Sequence, residues 1–486
     1  MKKALGITSS LLVVSVILLG TMCIGGCANQ PLEPWHKTRF AEEFDTGMAG
    51  DEVSTFDDYV ALEERLFAEL RDEVYAEVGT GPEYVLVRYS AGSAADPFAR
   101  DPDYNRTFEW SVESPKGGML LLHGMSDSPY SLRALGRKLH DEGYWVIGLR
   151  LPGHGTAPSE LKHASWRDMA AAVRIAWDHL ATEVGDVPIH IAGYSTGAPL
   201  ALDLALNSFD DTSLRTPDSL VLVSPAIGIT SAAAFARPAA AMGRVPGLTR
   251  LGWSAITPEF DPYKYNSFTT NAATQVRQLT QSVAGRISSL SGTENATRMP
   301  PILAFKSTVD ATVTTEAVVD RLLGRLPDNG NELVLFDINR SAIASTILVA
   351  DPGPLTNRLM SDASLPFTIR LITNDNPESL SVVARVKPAG SAEVKATVDL
   401  DETWPQGVIS LSHVALPFPP DDPLYGRYPP ENPRELFLGQ LQIRGERGLM
   451  RISSDWLLRL RYNPFYDVLE SRTLAWLDSI RDQPGQ

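Results

Sequence analysis

The stretch with the clearest chemical meaning is Gly193-Tyr194-Ser195-Thr196-Gly197. Pro188 precedes a short apolar run, residues 189–194, that predicts a buried strand; an Ala/Leu-rich run, 200–206, predicts a helix just after the serine. A chain turning this sharply from strand to helix has no room for a Cβ on either side of its central residue. Gly193 and Gly197 supply that room, and Ser195 is pushed into a strained backbone with its hydroxyl at the tip of the turn. A serine hydroxyl is a weak nucleophile until a base touches it, and that base needs an acceptor to orient it. The motif therefore asks for both partners elsewhere in the chain, and for elements that bring them together.

The 486 residues, 43% of them hydrophobic, can bury a large core as one elaborated domain or two. A net charge of −16 argues against nucleic acid as a partner and against electrostatic docking to anionic lipid. Both cysteines, Cys23 and Cys27, fall in the first thirty residues, so the body has no disulfide framework and no cysteine-based metal site.

Residues 28–54, rich in Pro, Gly and charge, read as a tether. The N-terminal helix falls in 55–83, where Phe56, Tyr59, Leu62, Leu66, Phe67 and Leu70 recur at helical spacing. Residues 84–89 and 106–112 read as two strands on an antiparallel sheet edge. From Gly117 the pattern becomes βαβα, with strands at 119–122, 145–149, 189–194, 219–223 and 302–305. Between them, Leu132, Leu135 and Leu139 mark one helix face, and Trp166, Met169, Val173, Trp177 and Leu180 another. Strands alternating with amphipathic helices imply a parallel sheet covered on both faces, with its site at the strands' carboxyl ends. Residues 465–477 read as a closing helix.

Three motifs, His123-Gly124-Met125, Leu151-Pro152-Gly153-His154-Gly155 and the serine turn, resemble the α/β-hydrolase fold family. Within it they are similar to the monoacylglycerol-lipase-like bacterial carboxylesterases, a branch that also includes serine aminopeptidases. The resemblance covers residues 84–225, 300–338 and 406–482. It implies an α/β architecture, a mostly parallel central sheet with helices on both faces. It also implies the chain order serine, acid, histidine. Of eight histidines only His413 lies beyond Ser195, after the apolar run 408–411, which makes it the expected base. Asp310, in Lys306-Ser307-Thr308-Val309-Asp310-Ala311-Thr312-Val313, resembles the family's acid loop; Asp337, at the end of the run 333–336, is its rival. The backbone N–H groups of Met125 and Thr196 are the expected oxyanion hole, each worth on the order of 10²–10³ in rate. His123 reads as a structural hydrogen-bonding residue and His154 as part of the site rim.

The chemistry so implied is hydrolysis of a small-molecule ester through an acyl-enzyme, with no metal or organic cofactor. An amidase or peptidase and a non-catalytic envelope lipoprotein are the alternatives. The hydrolase core is divided into 84–226, 300–338 and 406–486. A cap, 227–299, opens with an alanine-rich run at 231–242 and carries Trp253, Phe260, Tyr263, Tyr265 and Phe268, which either cover an acyl chain or form the cap's own core. A β-rich insertion, 339–405, contains alternating runs at 367–373 and 380–386 around the turn Asn374-Asp375-Asn376-Pro377, and reads as a sheet extension or a docking surface. Residues 417–423 read as a rim loop, and Asp421 and Asp422 lack a third metal ligand.

Residues 1–27 read as an address. Lys2 and Lys3 precede the apolar run 11–19, and Ile24-Gly25-Gly26-Cys27 resembles a bacterial lipobox in which Cys27 carries the lipid. The competing reading is an uncleaved membrane anchor, because residues 4–30 carry no charge. Either places the body in the cell envelope, attached to a membrane. Ala28 after the cysteine favours the outer membrane by resemblance to envelope lipoproteins.

Overall fold

A computed structural model describes residues 31–228, 249–310, 312–341, 351–432, 435–439 and 459–482. Cys27 and the alanine-rich run 231–242 lie outside the described residues. Among those described, no helix is long and apolar enough to cross a membrane.

A single helical turn, Pro34–Lys37, precedes α1 (Phe56–Glu73), which is capped by a reciprocal pair between Thr55 and Asp58, and the short strand β1 (Phe108–Trp110). There follow β2 (Gly117–Leu122), α2 (Arg133–Asp141), β3 (Tyr144–Leu149), α3 (Trp166–Val184), β4 (Ile189–Tyr194), α4 (Gly197–Asn207) and β5 (Ser219–Val223). The cap region contributes β6 (Trp253–Ala255), β7 (Phe268–Thr269) and α5 (Thr270–Leu290). Then come β8 (Ile302–Ser307), α6 (Thr315–Arg321), β9 (Glu332–Phe336), α7 (Gly353–Ser361), β10 (Thr368–Asn374), β11 (Ser381–Lys387), β12 (Ala396–Thr403) and α8 (Tyr466–Arg481).

Apart from the small β6–β7 pair, these strands form one ten-stranded sheet in the order β1-β3-β2-β4-β5-β8-β9-β10-β11-β12. The stretch from β3 to β10 is parallel throughout, and β1, β11 and β12 are antiparallel additions at its two ends. Alternation along each strand sends side chains to opposite faces. Leu120 and Leu122 join a core beneath α3, α4 and α5, while Met119 and Leu121 join a second core beneath α2 and α8. Parallel strands buried on both faces need this double cover.

Two expectations are corrected. Residues 84–89 are not a strand: Pro82–Tyr84 is a 3₁₀ turn, and neighbouring residues share one environment, Val85 and Leu86 exposed, Arg88 and Tyr89 buried. That pattern lacks the two-residue alternation a half-buried strand requires. The described part of the supposed tether, 31–54, is docked. Trp35, Phe40, Phe44 and Val53 are buried, and Glu43 pairs with the buried Arg150 at 3.2 Å. Apolar residues widely spaced among charges hid this packing in the sequence. Residues 408–411, which lead to His413, are irregular and held by Asn339, whose N–H donates to the Ile409 carbonyl at 2.7 Å. Within 339–405, β10 runs parallel to β9 and continues the central sheet, and β11 and β12 extend it as an antiparallel meander.

Candidate active site

The carboxyl end of β4 delivers Ser195 into the turn before α4. Its φ is +51°, a left-handed conformation costly for a residue with a Cβ. A Cβ on Gly193 would lie 2.6 Å from the Ala198 nitrogen, and one on Gly197 would overlap the Leu122 carbonyl of the neighbouring strand. Only glycine fits either place. The strained turn is fixed by its own backbone: Ser195 N–H donates to Val223 at 2.9 Å, and its carbonyl accepts from Ala226 at 3.0 Å.

His413 reaches this serine from the loop before α8. Its Nε2 lies 3.0 Å from Ser195 Oγ, and its Nδ1 lies 2.8 Å from Asp310 Oδ2. The loops carrying acid and imidazole are joined directly, since Ser307 Oγ donates to the Leu411 carbonyl at 2.8 Å. Asp310 is also oriented from below. Its Oδ1 accepts from the N–H groups of Thr312 (2.8 Å) and Val313 (3.1 Å), and the buried Lys306 ammonium meets Oδ2. Burial pushes the Asp310 carboxyl up, but His413 and Lys306 together outweigh it and hold the group well below the usual carboxylate range.

His123 fixes the opposite wall. Its Nε2 accepts from Leu151 N–H at 3.0 Å, so the proton sits on Nδ1 and is donated to the Gly124 carbonyl at 2.8 Å. Burial, with His154 adding to it, holds this imidazole well below its ordinary range, and it is neutral. The side chain thereby clamps the loop carrying Met125 to the end of β3. Met125 and Thr196 both line the cavity at Ser195, and no backbone carbonyl among the described residues accepts from either N–H. His154 is not on the rim: it is fully buried, 4.9 Å from the His123 ring, with its pKa pushed down to about 4 by burial. It is part of the support beneath the site.

A family profile described as serine aminopeptidase, S33, matches residues 113–337, a span that contains Ser195 and Asp310 and ends before His413. With the parallel sheet order and the strand–serine–helix turn already in view, that match agrees with the fold. The chain has the α/β-hydrolase fold. Its curated relatives include a thermostable monoacylglycerol lipase of Bacillus sp. (strain H-257), 30% identical over 118 residues, or 24% of this chain and 42% of that protein. A carboxylesterase of Bacillus subtilis (strain 168) is 36% identical over 92 residues, 18% of this chain and 37% of that protein. The matched stretches thus span less than half of either relative. A monoacylglycerol lipase of Paleococcus ferrophilus aligns at TM-score 0.36 and 18% identity, covering 48% of this chain and 87% of that one.

In this α/β-hydrolase the rival acid is otherwise engaged. Asp337 forms a fork with Arg340 at 2.9 and 3.0 Å and accepts from Thr373 at 3.0 Å. The cap aromatics divide their roles. Tyr265 and Phe268 line the 410 Å³ cavity, whereas Tyr263 stacks on Tyr130 at 3.8 Å and Trp253 meets the His36 ring edge-on at 4.9 Å. Asp422 is a structural anion bound by Arg133 at 3.0 Å. Four residues at the site escaped sequence reading: Lys306, Lys264, Arg459 and Arg461. Lys306 stands four positions before the acid, on a strand whose other residues are mostly apolar, and that lone charge was a usable signal. The arginines follow a stretch without recognisable pattern.

Proposed function

We propose that this α/β-hydrolase cleaves carboxylic esters through a serine acyl-enzyme. The observation that carries the reading is the continuous relay from Ser195 Oγ to His413 (3.0 Å) to Asp310 (2.8 Å) at the floor of a cavity. Ser195 attacks the ester carbonyl while His413 Nε2 takes its proton. The N–H groups of Met125 and Thr196 receive the developing oxyanion. His413 then protonates the departing alcohol, and water repeats the cycle on the acyl-serine with His413 again as base. Asp310 stays ionised throughout, fixing the tautomer and offsetting the imidazolium charge. The step uses no group beyond these side chains and water.

An aminopeptidase reading is favoured by the family description. Against it stands the cavity wall, whose described residues include Lys264, Arg459 and Arg461 and one carboxylate, Asp127, itself engaged by Lys264 at 3.0 Å, a poor receptor for a free α-ammonium. Hydrolysis of p-nitrophenyl esters of graded chain length, beside aminoacyl anilides, separates the two. A fluorophosphonate probe should label Ser195, and Ser195→Ala should lower ester turnover by on the order of 10⁶. Absence of labelling would return the chain to the non-catalytic alternative.

We also propose that Cys27 carries a lipid that holds the protein in the cell envelope. The support is the sequence Ile24-Gly25-Gly26-Cys27 behind an uncharged apolar stretch.

A further inference from the structure

We propose that the cap turn 261–265 belongs to the oxyanion hole, with Lys264 as a positioning residue that holds the Met125 loop through Asp127. The inference rests on the esterase reading and adds a residue on which its rate depends.

The direction of the Met125 N–H is set by the peptide bond that carries it. The Gly124 carbonyl accepts from His123 Nδ1 at 2.8 Å and from Asp127 N–H at 3.2 Å. Across a trans peptide the N–H points opposite to the carbonyl, so these two donors turn the Met125 N–H away from His123. The loop lies against the nucleophile, since a Cβ on Gly124 would stand 3.1 Å from that of Ser195. Two residues on, Ser126 has φ +64°, a left-handed conformation costly for a residue with a Cβ. Such a backbone persists only when its surroundings over-determine it. His123 restrains the loop from within, and the cap restrains it from outside.

Three consecutive cap residues meet this loop and its exit in reverse order. Tyr263 stacks on Tyr130 at 3.8 Å, Lys264 Nζ donates to Asp127 Oδ2 at 3.0 Å, and Tyr265 N–H donates to the Ser126 carbonyl at 2.8 Å. The last of these holds the left-handed residue itself. Lys264 and Asp127 are 8% and 4% exposed, so water screens their attraction little. The other Asp127 oxygen accepts from Ser128 N–H at 2.9 Å, which ties the carboxylate to the loop. The cap turn is itself braced. Asp261 Oδ1 accepts from the N–H groups of Tyr263 (3.0 Å) and Lys264 (3.1 Å) and from the Tyr425 hydroxyl (2.6 Å). The Lys264 ammonium also lies over the rings of Phe418 (4.8 Å), Tyr194 (5.6 Å) and Tyr425 (5.7 Å). Seating the cap and aiming the oxyanion donor are one structural event.

The test uses the full chain, p-nitrophenyl butanoate, and an alkyl trifluoromethyl ketone as a probe of the hole. Ser195 Oγ adds to the ketone carbon, its proton passes to His413, and the carbonyl electron pair moves to oxygen as an oxyanion like that of the ester step. Removing an oxyanion donor outright costs on the order of 10²–10³ in kcat. Loosening one, as Lys264→Met does, should lower kcat about tenfold or more, keep KM within about twofold, and weaken the ketone by the factor lost in kcat/KM. Asp127→Asn should do the same. The double variant should lose no more than the worse single one, because both act through one contact. It carries neither buried charge, and so remains informative should Lys264→Met fail to fold. Unchanged kcat, an unweakened ketone, or losses that multiply in the double variant would overturn the clamp and leave the esterase standing. A parent chain that turns over no ester, with Ser195 unlabelled by fluorophosphonate, overturns the reading beneath it.

Discussion

Lys306 and Asp310, four residues apart around the end of β8, form an ion pair with neither side chain exposed to solvent. The ammonium meets the same carboxylate oxygen that faces His413 Nδ1, so one anion serves two cationic or donor groups at once. Burial works against both charges, lowering the affinity of Lys306 for its proton and raising that of Asp310. Their mutual attraction, with His413, reverses the effect on the carboxyl.

Lys306→Met should therefore be costly in the fold, because it removes the cation from a buried carboxylate and leaves it the imidazole and two backbone N–H groups. Breaking such a pair by removing one member typically costs about 3–5 kcal/mol. The sign with pH follows from the depressed carboxyl. Its stabilising contribution is present above the ordinary carboxylate value near about 4 and is lost as pH falls through the lower folded-state value. The deficit of Lys306→Met against the parent should then be full at pH 7 and narrow toward pH 3. Urea unfolding at both values checks it; a deficit independent of pH would mean the lysine acts by packing alone.

Asp310→Asn and Asp337→Asn discriminate the two acids expected from the sequence. The asparagine at 310 can no longer fix the imidazole tautomer, and loss of that function costs on the order of 10⁴ in kcat. Asp337 holds Arg340 and Thr373 at the start of the β-rich region, so its replacement should lower stability and leave turnover within about tenfold. Equal losses of p-nitrophenyl ester turnover in the folded variants would overturn the assignment.

The parts of this molecule legible in the sequence are those with a strong local constraint. Gly193 and Gly197 are demanded by backbone overlap, and a parallel strand buried on both faces reads as an apolar run. His413 was legible by position, as the one histidine beyond the serine. The supports were not. Lys306 looks like a stray charge until Asp310 folds back onto it, and Arg461 acquires meaning only when the loop before α8 reaches Tyr194. The docked segment 31–54 misled for a related reason. Trp35, Phe40, Phe44 and Val53, at separations of 5, 4 and 9, sustain neither a helical nor a strand period, and partners lie more than a hundred residues away in places, as with Phe40 N–H and Glu160 (3.0 Å).

Glu160 supplies a pH-dependent prediction from that segment. Burial, with repulsion from Glu43, pushes its pKa up to about 8, although it accepts from Phe40 N–H. A carboxyl whose folded-state value is raised holds its proton more tightly when folded, so its ionisation destabilises the fold as pH rises from about 4.5 through 8. Glu160→Gln keeps the acceptor and cannot ionise. Its stability relative to the parent should be near zero difference at pH 5 and rise to a few kcal/mol in its favour by pH 9. Denaturation midpoints of both proteins across that range would be parallel if the carboxyl were not buried as described.

The same segment links the N-terminus to the cap. Trp35 stacks on Tyr89 at 5.0 Å, and the next residue, His36, reaches the cap through Ser267 Oγ (3.0 Å) and the Trp253 ring (4.9 Å). Cys27 stands eight residues before Trp35, and eight extended residues span at most about 28 Å. A lipid on Cys27 would thus hold Trp35, whose neighbour His36 touches the cap, within that distance of the bilayer. Two variants separate anchoring from docking. Cys27→Ala should move the protein from the membrane to the soluble fraction with its cap undisturbed; retention would favour an uncleaved apolar anchor. Trp35→Ala should leave the protein on the membrane and loosen the cap through His36, read as faster amide exchange at residues 253–268 as well as at 31–40. Faster exchange confined to 31–40 would mean the segment rests on the cap without restraining it.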